Sequence, residues 1–187
     1  MLDIYFFTAI AFNFSCILNF NFSLSDMPVK LFFDIEFYLA LNKGKSKTML
    51  KYLLNLIVCH LRSRYNVKCS IDDILILDSC TSLKFSYHLI LPKVIVANIK
   101  CCKSFVMSFL SSMSTSDIEF LRVKSPSGGF KSVIDLAVYS KNQNMRILLS
   151  SKFGKNCPLI VSDENRYYFT KTEIGMRSRF YLVFQWS

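Results

Sequence analysis

The sequence predicts a mixed α+β domain, and three features of its pattern indicate this class. Runs that alternate apolar and polar residues, as strands half buried in a sheet do, occur at residues 31–38, 84–91 and 133–139. Segments with an apolar residue at every third or fourth position, typical of amphipathic helices, separate these runs. Loops rich in serine and glycine stand between the segments. Strands and helices in this order favour a sheet packed against helices.

The predicted elements follow one another along the middle of the chain. After the strand at 31–38, residues 45–65 form an amphipathic helix with Met49, Leu53 and Ile57 on its apolar stripe. His60 of this helix is interpreted as a surface or boundary residue. The remaining elements are a strand over 71–77, a strand over 84–91, a helix over 98–113, loops over 114–117 and 125–129, and a strand over 133–139.

Two acidic residues interrupt the first predicted strand. Asp34 and Glu36 are two positions apart, so both carboxylates project from one face of the strand while Phe33 and Ile35 project from the other. Carboxylates in a hydrophobic strand are costly unless a positive charge neutralises them. Mg²⁺ or Mn²⁺ would do so, because both prefer oxygen ligands. An edge strand with a solvated polar face explains the same pattern without a metal.

The two later strands repeat this design. The second run places Lys84, Ser86 and His88 on one face, a set of side chains that can bind phosphate oxygens. The third run contains one more carboxylate, Asp135, among apolar residues. Both residues also have purely structural readings. His88 could be a core histidine held by a carbonyl, and Asp135 could be an aspartate that caps a turn. Three carboxylates beside cationic and hydroxyl donors are also what two metal ions need for in-line attack on a phosphate.

At these positions the chain resembles a known family, the eukaryotic primase-polymerases of the archaeo-eukaryotic primase superfamily. The resemblance extends over residues 30–161 and depends on three blocks: LFFDIEF at 31–37, the segment 66–91 that ends in KFSYHLIL, and VIDLAVYSKNQNMRILLSSKFGK at 133–155. It implies a catalytic core of two small sheets that face each other across a cleft, one of them similar to the sheet of an RNA-recognition motif.

The resemblance also implies roles for individual residues. Asp34, Glu36 and Asp135 would be the catalytic metal ligands, with two Mg²⁺ or Mn²⁺ ions as cofactors. Six residues would bind the incoming nucleotide: Lys84, Ser86, His88, Asn144, Arg146 and Lys152. The implied partners are a DNA template and primer, nucleoside triphosphates and single-strand DNA-binding protein. The implied function is a DNA-directed primase and polymerase of replication restart and damage tolerance, located in nucleus or mitochondrion.

Charge and cysteine usage agree with an intracellular protein that binds a polyanion. The formal net charge of the 187-residue chain is +10, and a basic cluster of Lys43, Lys45, Lys47 and Lys51 follows the first acidic strand. An exposed helix start that is basic by chance would explain this cluster equally well. The seven cysteines show no C-x-x-C spacing and there are only two histidines, so no zinc module is expected in this chain. Because the family normally carries such a module for starting chains, priming is doubtful.

Both ends of the chain depart from the family pattern. We expect residues 1–28 to be a divergent apolar extension, residues 29–170 to be the catalytic core and residues 171–187 to be a divergent tail, as in a truncated protein. Residues 4–25 lack charge and are long enough to cross a membrane, but their asparagines and their period-two pattern favour a strand or an extension instead. Three hypotheses follow: a metal-dependent nucleotidyltransferase, a catalytically incomplete nucleic-acid-binding module of the same fold, and a membrane-anchored basic protein.

Overall fold

The predicted α+β class is confirmed by the computed structural model, which describes residues 4–5, 27–140, 148–151 and 156–168. Within these ranges, no helix combines the length and the apolar character that crossing a bilayer requires. Most of the segment for which a membrane span was considered, residues 6–25, lies outside the described residues. The predicted domain boundaries at 28 and 170 stay predictions.

The longest strand, β4, is the centre of the main antiparallel sheet in the described part of the chain. Strand β2 pairs along one edge of β4, while β1 and β3 pair with the other edge and β7 extends the sheet beyond β3. The five strands are β1 (Ile4–Tyr5), β2 (Val29–Tyr38), β3 (Leu75–Asp78), β4 (Lys84–Val96) and β7 (Ile160–Val161). A β-bulge between Lys30 and Leu31 shifts the register at the start of β2.

The apolar face of β2 forms the hydrophobic core with two helices. These are α1 (Ser46–Tyr65) and α2 (Ile99–Ser111), which begins after Asn98, whose side chain accepts a hydrogen bond from the Cys101 amide. Phe33 is fully buried, and its ring meets those of Phe105 and Phe109 of α2 edge-on, at centroid distances of 6.3 and 5.7 Å. Helix α2 therefore covers the face of β2 opposite the acidic residues.

The predicted strand over residues 133–139 is wrong. Only one isolated bridge forms there, between Ile134 and Ile35 of β2, and a 3₁₀ helix (Ala137–Tyr139) follows at once. The Asp135 carboxylate accepts a hydrogen bond from the Ala137 amide at 2.9 Å, which turns the chain away from the extended path. This aspartate therefore caps a turn, as its structural reading held, and it does so directly beside β2.

Two further expectations about loops and strands need correction. Residues 114–117 are not a loop, because Ser114 and Asp117 form a capping box that begins helix α3 (Thr115–Leu121). The strand expected over 71–77 is replaced by a 3₁₀ helix (Ile71–Asp73) and the shorter β3. In both places a serine followed three residues later by aspartate captures the free backbone amides.

A two-stranded hairpin connects α3 to the segment that contains Asp135. It consists of β5 (Arg122–Lys124) and β6 (Phe130–Ser132), joined by a turn in which Gly128 and Gly129 have φ angles of +91° and +71°. Residues other than glycine rarely adopt such angles, so these two positions fix the turn. The prediction of a loop at 125–129 agrees with this structure.

Part of the basic cluster has a structural role. Lys45 donates hydrogen bonds to the carbonyl oxygens of Phe120, at 3.4 Å, and Arg122, at 2.8 Å, where α3 passes into β5. Lys47 pairs with Glu164 at 2.7 Å, although both side chains are exposed. Two of the four lysines are thus engaged by the protein itself, which weakens the case for this cluster as a nucleic-acid contact.

His60 is buried, contrary to the sequence-based interpretation. Its ring packs edge-on against Phe105 and Phe109 at 5.5 and 5.3 Å, and its Nδ1 lies 3.0 Å from the Ser112 hydroxyl. Burial, together with the charge of nearby Arg64, lowers the pKa of His60 below its usual value. The folded protein therefore binds this proton less readily than the unfolded chain does.

This burial predicts a loss of stability in mild acid. As the pH falls below about 6.5, the unfolded chain takes up the His60 proton first, so the free energy of unfolding decreases. Urea unfolding at pH 7.5 and pH 5.5 measures the decrease, and we expect it to be smaller in His60→Phe, which keeps an aromatic ring. An identical decrease in both proteins would contradict the role given to His60.

Candidate active site

The register of β2 and β4 brings the polar residues of the two strands onto one shared face. Asp34 lies opposite His88, and Glu36 lies opposite Ser86. His88 Nε2 is 3.7 Å from Asp34 Oδ1, and both side chains are largely buried. Residues that are directly opposite in antiparallel strands project from the same side of the sheet. The sequence placed the acids and the Ser/His pair on separate strands, and the fold joins them into a single surface.

Asp135 joins this surface from a distant part of the chain. Its amide donates a hydrogen bond to the Asp34 carbonyl at 2.9 Å, and the Glu36 amide donates to the Val133 carbonyl at 3.2 Å. With Ile134 paired to Ile35, Asp135 takes the register position opposite Asp34. The two aspartates, about a hundred residues apart in sequence, are therefore neighbours on one face.

Tyr139 lies next to the two aspartates and anchors their backbone. Its hydroxyl donates to the Phe32 carbonyl at 2.8 Å, and its ring packs on that of Phe32 at 5.0 Å. Burial raises the pKa of Tyr139 well above its usual value, with further contributions from Cys102, Asp34 and Asp135. The phenol therefore stays neutral, and its hydrogen bond ties the segment after Asp135 to the start of the acidic strand.

Lys84 neutralises one of the acids. Its ammonium lies 2.5 Å from Glu36 Oε1 and 4.7 Å from the centroid of the Tyr38 ring, so a carboxylate and an aromatic face both stabilise its charge. Partial burial disfavours that charge, but the hydrogen bond and charge of Glu36 outweigh it, and the pKa of Lys84 is raised. Lys84 is therefore a cation at neutral pH and is held at the acidic face.

Ser86 has a buried partner that the sequence reasoning missed. The hydroxyl oxygens of Ser79 and Ser86 lie 2.9 Å apart, and the Ser79 amide donates to the Ser86 carbonyl at 2.9 Å. Both serines are almost completely buried. The short connection between β3 and β4 was the only signal in the sequence that Ser79 would face Ser86. This pairing places the Ser79 hydroxyl beside that of Ser86 at the candidate site, where either hydroxyl can be the donor.

The acids supply the right kind of ligand for a divalent cation, but their side chains are not gathered around one point. All three are oxygen donors on one face, which suits Mg²⁺ or Mn²⁺. Among the described residues, no three His, Cys, Asp or Glu side chains stand close enough to hold a metal ion. Glu36 is engaged by Lys84. It would have to turn from the lysine to share a cation with Asp34 and Asp135.

Three of the nine candidate site residues cannot be placed. Asn144, Arg146 and Lys152 lie outside the described residues. The other six, Asp34, Glu36, Lys84, Ser86, His88 and Asp135, belong to one face of the sheet or to the segment paired with it. The predicted roles of all nine residues stay predictions.

Comparison with known proteins agrees with the resemblance drawn from the motifs. No protein-family model matches the chain. The chain is 34% identical over 170 residues to the DNA-directed primase/polymerase protein of Danio rerio, and this match covers 74% of the chain and 32% of that protein. Corresponding matches are 32% identical over 185 residues in Mus musculus and 27% over 204 residues in Homo sapiens, covering 34% and 36% of those proteins and 74% of the chain.

The chain spans about a third of the length of the curated relatives it matches. The matched part amounts to about three quarters of the chain, and the three sequence blocks, which include all six site residues on the shared face, lie between residues 31 and 155. The resemblance predicted from the motifs is thus confirmed, and over the matched segment the chain is a homologue of the DNA-directed primase/polymerase proteins.

Proposed function

We propose that this chain is the core of a metal-dependent nucleotidyltransferase that adds nucleotides to a 3′-hydroxyl on a DNA template. The observation that carries the proposal is the position of Asp135 opposite Asp34, on the face that also presents Lys84, Ser86 and His88. Acids and phosphate-binding groups then meet within one site, as phosphoryl transfer requires. The relatives are named DNA-directed primase/polymerase proteins, which supports DNA as the template.

Each group on this face has a distinct task in the proposed reaction. Asp34, Glu36 and Asp135 would hold two Mg²⁺ or Mn²⁺ ions, which when bound lower the pKa of the attacking hydroxyl and stabilise the leaving pyrophosphate. Ser86 would donate a hydrogen bond to a phosphate oxygen while its own oxygen accepts one from the Ser79 hydroxyl, which lies 2.9 Å away. His88, held beside Asp34, would donate from its ring to the same triphosphate.

Lys84 would change partners when a nucleotide binds. In the structure it holds Glu36, one of the three proposed metal ligands. A triphosphate carries more negative charge than a single carboxylate, so it would draw the ammonium away from Glu36 and release that carboxylate for the cation. Nucleotide and cation would then bind cooperatively, because each removes an obstacle to the other.

The Lys84→Met substitution separates the effect of Lys84 on nucleotide binding from its effect on cation binding. We expect it to weaken nucleotide binding about 10- to 100-fold, the cost of one charge-assisted hydrogen bond, and to tighten nucleotide-free Mn²⁺ binding because Glu36 loses its competing cation. Electron paramagnetic resonance of Mn²⁺ and calorimetry with a nonhydrolysable nucleotide measure the two affinities. Lys51→Met, at an exposed lysine of α1, is the matched control. Weaker nucleotide-free Mn²⁺ binding in Lys84→Met would refute the exchange of partners.

The second candidate function is that of a nucleic-acid-binding module, which keeps the fold and the charge but does not catalyse nucleotide addition. The formal net charge of +10 favours it, because a basic chain attracts a polyanion whether or not it is catalytic. A primer-extension assay on the purified chain with Mn²⁺ or Mg²⁺ decides between the two. Nucleotide incorporation supports the transferase, whereas DNA binding without any incorporation supports the module. In a primer-free reaction of this chain we expect little product, because its cysteine spacing does not predict a zinc site.

A further inference from the structure

The β5–β6 hairpin presents an exposed aromatic ring together with two cationic side chains. Phe130 is 50% exposed, which is unusual for a phenylalanine, and the Arg122 guanidinium carbon lies 4.7 Å from the centroid of its ring. Lys124 is the register partner of Phe130, so Arg122, Lys124 and Phe130 share one face of the hairpin. This set of three residues is called the hairpin face below.

The hairpin face is held firmly by the rest of the domain. The Asn42 side chain accepts a hydrogen bond from the Lys124 amide at 2.8 Å and donates to the Lys124 carbonyl at 3.2 Å, as a neighbouring strand would. Lys45 binds the Arg122 carbonyl at 2.8 Å, and Val123 is fully buried. An exposed ring on a fixed strand loses little conformational freedom when a ligand stacks on it.

The charges around the hairpin face suit a polyanion. Glu119 pairs with Arg122 through one guanidinium nitrogen at 3.0 Å, which leaves the other N–H donors of that side chain for a ligand. Lys124 is exposed, so two cations stand against one carboxylate on the hairpin face, in a chain of net charge +10, while Lys131 is the register partner of the buried Val123 and belongs to the opposite face. A ligand that combines a flat ring with phosphates is a single-stranded nucleic acid, whose unpaired bases are free to stack.

The hairpin face also lies close to the acidic face along the chain. β6 ends three residues before Asp135, and the five-residue step from Phe130 to Asp135 spans at most about 18 Å. We propose that the hairpin face binds single-stranded DNA beside the candidate active site, with Phe130 stacked on a base and Arg122 and Lys124 on the backbone phosphates. This inference rests on the proposed function for its choice of DNA and of position.

The test measures binding of a fluorescently labelled single-stranded oligonucleotide to the full chain by anisotropy. Loss of one stacked base predicts that Phe130→Ala binds about 5- to 100-fold more weakly, whereas Phe130→Trp, which keeps a stacking surface, binds like wild type. Tyr168→Ala, at a tyrosine that is 88% exposed, is the matched aromatic control and should bind like wild type. Arg122→Gln and Lys124→Gln should each lower the slope of affinity against salt by about one.

Two results would overturn this inference: wild-type affinity in Phe130→Ala, or an equal loss in Phe130→Ala and Phe130→Trp. The same experiments distinguish a failure of this inference from a failure of the proposed function. If wild type extends primers while Phe130→Ala binds single strands normally, the transferase stands and the hairpin face does not bind DNA. If wild type never incorporates a nucleotide while Phe130→Ala loses single-strand binding, the hairpin face stands and the transferase does not.

Discussion

Replacing Asp34 or Asp135 by asparagine is expected to reduce nucleotide incorporation by about 10³-fold or more. Each substitution keeps the size of the side chain but removes a negative charge from the face where the cations would bind. Metal ions stabilise the charge of a phosphoryl-transfer transition state by several kcal/mol, and each 1.4 kcal/mol or so corresponds to about a tenfold change in rate. Primer extension with Mn²⁺, followed on a denaturing gel, measures the loss.

The matched control for these variants is Asp72→Asn, at an exposed aspartate of the first 3₁₀ helix. It should leave incorporation unchanged. DNA binding should also persist in Asp34→Asn and Asp135→Asn, because neither carboxylate contacts a phosphate in the proposed mechanism. An active Asp135→Asn protein would remove this residue from the site, however close it lies to Asp34.

The largest expected effect on stability comes from Phe33→Ala. Phe33 is on the face of β2 opposite Asp34, is fully buried and packs against Phe105 and Phe109 of α2. Truncation of a buried phenylalanine removes its transfer free energy and leaves a cavity, so the free energy of unfolding should fall by about 3–5 kcal/mol. Because that amount is a large share of a domain's stability, much of the variant should be unfolded at 37 °C.

Urea unfolding monitored by circular dichroism measures this change. Leu83→Ala, at a leucine that is 68% exposed, is the matched control and should change the stability by less than about 0.5 kcal/mol. A loss below about 1 kcal/mol in Phe33→Ala would mean that α2 does not pack on β2 as described.

The strands that carry the site could be predicted from the sequence because their pattern is local. In β2, apolar residues at alternate positions set Phe33 and Ile35 against the helices, and this same period forces Asp34 and Glu36 to the other side. The pattern of β4 likewise places Ser86 and His88 together. The register between β2 and β4 could not be predicted in this way. The pairing of Asp34 with His88 depends on where the connecting segments end, and only the structure shows this.

The surroundings of Asp135 and of Glu36 could not be predicted in this way. Asp135 reaches Asp34 through a single isolated bridge and then caps a turn, so its alternating pattern imitates a strand that does not form. The engagement of Glu36 by Lys84 arises from side chains on two strands, 48 positions apart. Such contacts depend on tertiary packing, and the periodic pattern of residues along one strand does not predict them.

The most direct test of the account is a double-mutant cycle on Mn²⁺ binding, read by electron paramagnetic resonance with a nonhydrolysable nucleotide present. The proteins are wild type, Asp34→Asn, Asp135→Asn and the double variant. If the two aspartates hold the same ions, each single substitution removes most of the binding and the second adds little further loss. Losses that add up independently in the double variant would show that the two residues serve separate places, and would contradict the common site.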